Sequence, residues 1–161
     1  MKLDRFDIKI LEALQEDGRL PTARLAERIG LSASPTWERV KRLEEAGILR
    51  GYHADIAADR LPQLTQVLVT VTLESHRAQD FKRFETAVAK ASHIVACWAV
   101  GGDIDYVLMF AVADVSSYQQ AVDETLTADL AVRQYWSYIV TKPIKPFAGL
   151  PIGHLLGSVE D

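Results

Sequence analysis

The stretch Leu31–Gly47, LSASPTWERVKRLEEAG, decides how this chain is read. It gathers Arg39, Lys41 and Arg42 in one short helical run, interleaved with Glu38, Glu44 and Glu45, in a chain whose formal net charge is −4. At roughly 100° per residue, Val40, Leu43, Glu44 and Gly47 share one side, with Thr36 and Trp37 at its edges. Glu38, Arg42 and Glu45 lie opposite, and Arg39 and Lys41 flank the two sides. The helix is therefore expected to bury Val40 and Leu43 and to present Ser34, Pro35, Glu38, Arg39 and Arg42 outward near its start. Ser34 reads as the N-cap and Pro35 as the first helical residue, where a missing N–H is tolerated. Gly47 reads as the stop.

Upstream, Gly30-Leu31-Ser32-Ala33 is a very short connection. A second helix, from Pro21 or Thr22 to Ile29 with Leu25, Ala26 and Ile29 as its apolar face, must therefore cross the third steeply. A first helix opens at Leu3-Asp4-Arg5-Phe6-Asp7-Ile8. Asp4 caps it, Asp7 sits at the third helical position, and Leu3 and Ile8 suit a hydrophobic staple. Phe6, Ile10, Leu11 and Leu14 continue an apolar stripe, and Gly18 is expected as a left-handed cap. A supporting helix, then two helices joined by a tight glycine-containing turn, is a helix-turn-helix. Downstream, Ile48–His53 reads as a short strand or wing from which Arg50 and His53 would reach phosphate. The plainer readings are that a mixed-charge helix face is merely solvated and that His53 is a surface residue. The arrangement as a whole favours the nucleic-acid reading, because the start of such a third helix is where side chains meet base edges. Arginine there reads guanine or clamps phosphate.

From Asp55 to Pro62 the periodicity lapses, and a linker is placed at 55–64, between a DNA-binding domain at 1–54 and a second domain at 65–142. The pattern then changes: strand Thr65–Leu73, helix Gln79–Lys90, strand Ile94–Val100, turn Gly101-Gly102-Asp103, strand Ile104–Ala113, helix Ser116–Thr127 capped by Asp114 or Ser116, and strand Arg133–Thr141. The order β-α-β-β-α-β is ferredoxin-like, so the fold class is α+β: a winged helix-turn-helix followed by an antiparallel sheet with helices on one face. Apolar residues on both sides of Val67–Leu73 imply that a second subunit covers the open face. The Pro- and Gly-rich tail, 143–161, is expected to be extended.

The totals narrow the function. At 161 residues the chain buries a real core as one domain or two small ones. No apolar run spans a bilayer, and the charged, helix-patterned start lacks a signal-peptide core, so a cytoplasmic protein without a membrane partner is expected. The single cysteine, Cys97, excludes a disulfide framework and is expected to be a small buried apolar residue. Residues 1–60 carry 11 Lys+Arg against 11 Asp+Glu, so a partner seeking cations meets the first part of the chain. No nucleophile–base constellation, phosphate-binding glycine loop or His/Cys metal cluster occurs, so neither an enzyme nor a cofactor is expected.

The segments LDRFDIKILEALQEDGR, LAERIGLSASPTWERVKRLEEAGILRGYHA and VGGDIDYVLMF resemble the Lrp/AsnC (leucine-responsive, feast/famine) transcription regulators. The resemblance implies a βαββαβ effector (RAM) domain, dimers that assemble further into tetramers or octamers, and an amino-acid effector. It places Ser32, Ser34, Pro35, Thr36, Glu38, Arg39 and Arg42 toward DNA, to which the reading of the wing adds Arg50. It places the effector pocket at Gly101, Gly102, Asp103, Ile104, Asp105 and Tyr106, between dimers, with Val115 and Tyr138 near. Asp105 or Asp103 would hold the ligand ammonium, and backbone groups of the turn its carboxylate. A plain hairpin turn is the simpler account of Gly-Gly-Asp. The chain departs from many relatives at the second helix, where Pro21 and Arg24 replace a capping box. An architectural, DNA-wrapping protein with little ligand control is the alternative function.

Overall fold

The computed structural model describes residues 2–126, 130–145 and 147–156. It divides into two compact units, one running to Ile56 and taking in the tail from Lys145, the other spanning Ala57–Ile144.

The first unit is built on α1 (Arg5–Glu16), α2 (Thr22–Ile29) and α3 (Ala33–Glu45). Ile10, Leu11, Ala13 and Leu14 of α1 pack with Leu25 and Ile29 of α2 and Leu43 of α3. Each large apolar side chain so buried contributes roughly 1.5–3 kcal/mol. Asp4 caps α1 as expected, and the Asp7 carboxylate returns a bond to the Asp4 amide, completing a capping box. Gly30, at φ 78°, turns the chain out of α2. Gly47, at φ 66°, does so after α3, where the Ile48 amide bonds to Leu43 O and the Gly47 amide to Glu44 O, a Schellman closure.

Three local expectations are corrected. The cap position of α3 is Ser32, not Ser34, and Pro35 is the third helical residue; the first turn tolerates it because those amides have no intrahelical acceptor. Gly18 is not left-handed: Asp17 ends α1 in an extended conformation and its carboxylate accepts from the Arg19 amide at 2.9 Å. Residues 48–57 form no strand, so the wing has no ladder partner among the described residues.

In the second unit, β1 (Thr65–Leu73), α4 (Ala78–Lys90), β2 (Ile94–Ala99), β3 (Tyr106–Val112), α5 (Val115–Thr125) and β4 (Val132–Ile139) follow in the expected order. The strands form one antiparallel sheet, ordered β2-β3-β1-β4. Val67, Val69, Val71 and Leu73 alternate onto the helix face and meet Phe84, Val88, Leu108, Phe110, Tyr118 and Val122. The opposite face carries Leu68, Val107, Met109, Trp98, Trp136 and Tyr138, paired across the strands. Trp98, Trp136 and Tyr138 there are at least half exposed. Ile104 and Asp105 belong to the turn before β3 rather than to the strand. The expected end of the second effector-domain helix at Thr127 lies outside the described residues, as does Pro146 of the tail.

The tail is not extended throughout. It forms α6 (Ile152–Leu156), and Ile152 packs on the first unit's core. Gln15 of α1 grips Leu150 at both backbone groups, accepting from its amide and donating to its carbonyl, each at 2.8 Å. That clamp requires close approach: a Cβ on Gly149, at φ 107°, would sit 2.3 Å from Gln15 Cδ.

Candidate nucleic-acid interface and effector loop

The buried side of α3 is set by Thr36, Leu43 and half-buried Val40, which leaves Ser34, Glu38, Lys41 and Glu45 in solvent. Ser32 and Arg50 are also exposed, and Pro35 is half-buried. Thr36 does not face a partner. It is fully buried, and its hydroxyl donates to Ser32 O at 2.8 Å.

The arginines are not both free to face DNA. Asp7 is fully buried beneath α3. Arg39 Nη1 donates to Asp7 Oδ1 at 2.8 Å and to Asp4 Oδ2 at 2.7 Å. Its guanidinium also lies 5.3 Å from the centroid of the Phe6 ring. Arg39 therefore points at the start of α1, with a side chain only 23% exposed. Arg42 Nη2 donates to both Asp7 oxygens at 2.8 Å, yet its side chain stays 49% exposed. It is held on one edge with its remaining donors toward solvent. Burial alone would raise the Asp4 carboxyl pKa. The Asp7 amide, the Arg39 guanidinium and the Phe6 amide outweigh that and hold it below the usual range.

Trp37 and Lys41, absent from the expected outward set, lie on the solvent side. They are one turn apart, with Lys41 Nζ 5.4 Å from the indole centroid. The i, i+4 spacing is the available signal, whereas the angular position alone sets Trp37 at the edge of the buried side. The exposed Lys41–Glu45 pair, at 3.6 Å, adds little.

Around the Gly101–Tyr106 loop, Gly101, Gly102 and Asp103 are exposed, and Gly102 has φ 136°. Asp105 is committed to the fold. Its amide donates to Val71 O at 2.9 Å, and its Oδ2 accepts from the Leu73 amide at 2.8 Å. Oδ1 lies 3.0 Å from His76 Nε2. Asp105 thus ties the loop to the end of β1, whereas Asp103 reaches solvent. Tyr106 does not line the loop: it is buried against Phe84, and its hydroxyl donates to Glu85 Oε1 at 2.9 Å. Burial, then Glu85, pushes its phenol pKa well up. Ile104 is half-buried beside the turn.

Val115 and Tyr138, both 55% exposed, are not brought to this loop within one chain. Val115 follows the far end of β3, and at roughly 3.4 Å per residue that strand separates the two by about 20 Å. Tyr138 pairs with Leu68, three residues along β1 from the Val71–Tyr106 pair, on the open face. No cluster of three or more His, Cys, Asp or Glu is placed to hold a metal among the described residues.

A family model for winged helix-turn-helix DNA-binding matches residues 3–50, and one for the Lrp/AsnC ligand binding domain matches residues 66–150. The chain is 46% identical to the transcriptional regulatory protein DoeX of Halomonas elongata over 156 residues, covering 96% of this chain and 99% of that one. It is 40% identical to the leucine-responsive regulatory protein of Escherichia coli, over 89% of this chain and 87% of that one. Among solved structures, an AsnC family transcriptional regulator from Agrobacterium tumefaciens superimposes with a TM-score of 0.87 at 32% identity, covering 96% of this chain and all of that one. A transcriptional regulator from Neisseria meningitidis in complex with L-Met gives 0.87 at 36% identity with the same coverage. With a helix-turn-helix unit and a ligand-binding unit each matched in order, this chain belongs to the Lrp/AsnC family of transcriptional regulators.

Proposed function

We propose that this regulator binds duplex DNA sequence-specifically through the outer side of α3, and that an amino acid at the Gly101–Asp105 turn modulates that binding. The observation that carries the first part is the division of α3. Thr36 and Leu43 are sealed inward, while Ser34, Glu38, Lys41 and part of Arg42 remain in solvent beside Pro35. Ser32 and Arg50 lie at the margins, suited to phosphate. Arg39 acts behind this surface by fixing α3 to the start of α1, and Thr36 is sealed beneath it with its hydroxyl on Ser32 O. The exposed glutamates temper charge-only attraction, which favours specific recognition over indiscriminate wrapping.

The effector reading rests on the ligand-binding family match and on the L-Met complex of the neisserial relative. In this chain Asp103 is the carboxylate free for a ligand ammonium, since Asp105 is already bonded. Turn amides around Gly101 and Gly102 suit the ligand carboxylate. Val115 and Tyr138 contribute only from another copy, which fits a pocket completed by assembly. The open sheet face, with Leu68, Trp98 and Trp136, is the surface through which two copies pair, and further assembly follows from such dimers.

The test is a fluorescence-anisotropy titration of the full chain against genomic fragments, with and without each L-amino acid. A subset of fragments is expected to bind about a thousandfold or more tighter than bulk DNA, with one amino acid shifting that affinity. Equal affinity for every fragment would refute the specific reading. Indifference to every amino acid would refute the effector.

A further inference from the structure

On the DNA-facing helix, Trp37 is 55% exposed, although tryptophan is on average highly buried. It lies one turn into α3, in the half of a recognition helix that approaches base edges. Tyr52, another exposed aromatic of this unit, has structural work. The Tyr52 hydroxyl donates to Glu44 at 2.9 Å, and its ring packs 3.4 Å from the position a Cβ would take on Gly18. Trp37 instead stands beside the Lys41 ammonium, so ring and cation form one ridge on the solvent side, next to Ser34 and Glu38.

That ridge matches one chemistry. The apolar group displayed in the major groove is the thymine 5-methyl, and the backbone beside it is anionic. An indole covers the methyl while the neighbouring ammonium meets phosphate or a guanine edge. We propose that Trp37 is a specificity-determining residue that reads thymine in the operator through its 5-methyl group. The inference rests on the DNA-binding role of α3 and deepens it. Within its own unit the indole has no buried role, and the ridge is continuous with the recognition surface.

The test uses the full chain and a duplex it selects from a random-sequence library. Each thymine is replaced in turn by deoxyuridine, which removes the methyl and leaves base pairing intact. At one or two positions wild-type binding should weaken about fourfold, the weight of one buried methyl. Trp37→Ala should weaken binding to the thymine duplex about tenfold or more and lose all sensitivity to deoxyuridine at those positions. The proposal is overturned if wild type ignores every replacement, if Trp37→Ala keeps the same sensitivity, or if Trp37→Ala changes the mass of the assembly by light scattering, which would make the indole a protein contact. Failure of the wild-type chain to select any duplex is a separate result: it removes the DNA-binding reading itself, and this proposal with it.

Discussion

Replacing Asp7 by alanine tests how the DNA-binding unit is held together. The Asp7 carboxylate is fully buried, accepts from Arg39 and Arg42, and returns a bond to the Asp4 amide. Stripping one partner from a buried ion pair costs about 3–5 kcal/mol. Arg39 keeps Asp4, and Arg42 is half exposed, so the low end, about 3 kcal/mol, applies even with the capping bond lost. At roughly 4–8 °C per kcal/mol for a unit of this size, its melting point should fall by about 12–24 °C. Asp7→Asn keeps the volume and an acceptor oxygen and should fall in between. Hydrogen exchange during the melt reads the two units separately: amides of α1 and α3 should open early, while the β1 and β3 amides keep their protection. A loss below about 3 °C, or opening spread equally over both units, would refute the buried-pair account.

Acid should act partly through Asp4, whose folded pKa lies below the ordinary carboxylate value. Its contribution is present above the unfolded value of about 3.9 and lost as pH falls through the lower folded one. Urea midpoints measured between pH 5 and 2.5 should therefore drop more for wild type than for Asp4→Asn. The turn aspartates should separate: Asp103→Ala is expected to lose amino-acid binding by calorimetry with an unchanged melting point. Asp105→Ala leaves the Leu73 amide without its acceptor and should destabilise the second unit by about 1–3 kcal/mol. Leu68→Glu, a charge in the middle of the open sheet face, should convert the assembly toward monomer in light scattering; an unchanged mass would place the interface elsewhere.

Elements whose signal is local were legible in the sequence. Alternation through Val67, Val69, Val71 and Leu73 marks β1, and Gly30 and Gly47 stop their helices at left-handed positions. The candidate site was legible only in part, because contacts with distant residues redirect some of its side chains. Arg39 and Arg42 look outward on a helical wheel that ranks sides by apolarity. Asp7, more than thirty residues earlier, draws them inward, and no periodicity encodes that contact. Thr36, at the edge of the buried side on the wheel, is sealed inward with its hydroxyl satisfied locally by Ser32 O. The tail read as extended from its prolines and glycines, yet Gly149 is the residue that lets it press onto Gln15. The Val115 and Tyr138 assignments came from family resemblance, and a single chain separates them from the turn they were expected to join.

The central claim is that the outer side of α3 meets DNA, and site-directed photocrosslinking tests it most directly. A photoreactive phenylalanine analogue at position 38, on the exposed side of α3, should form a covalent adduct with the selected duplex. The same group at position 82, on the exposed side of α4, should form none. A chain that binds the duplex yet stays uncrosslinked at position 38 while labelling it from position 82 would contradict the account.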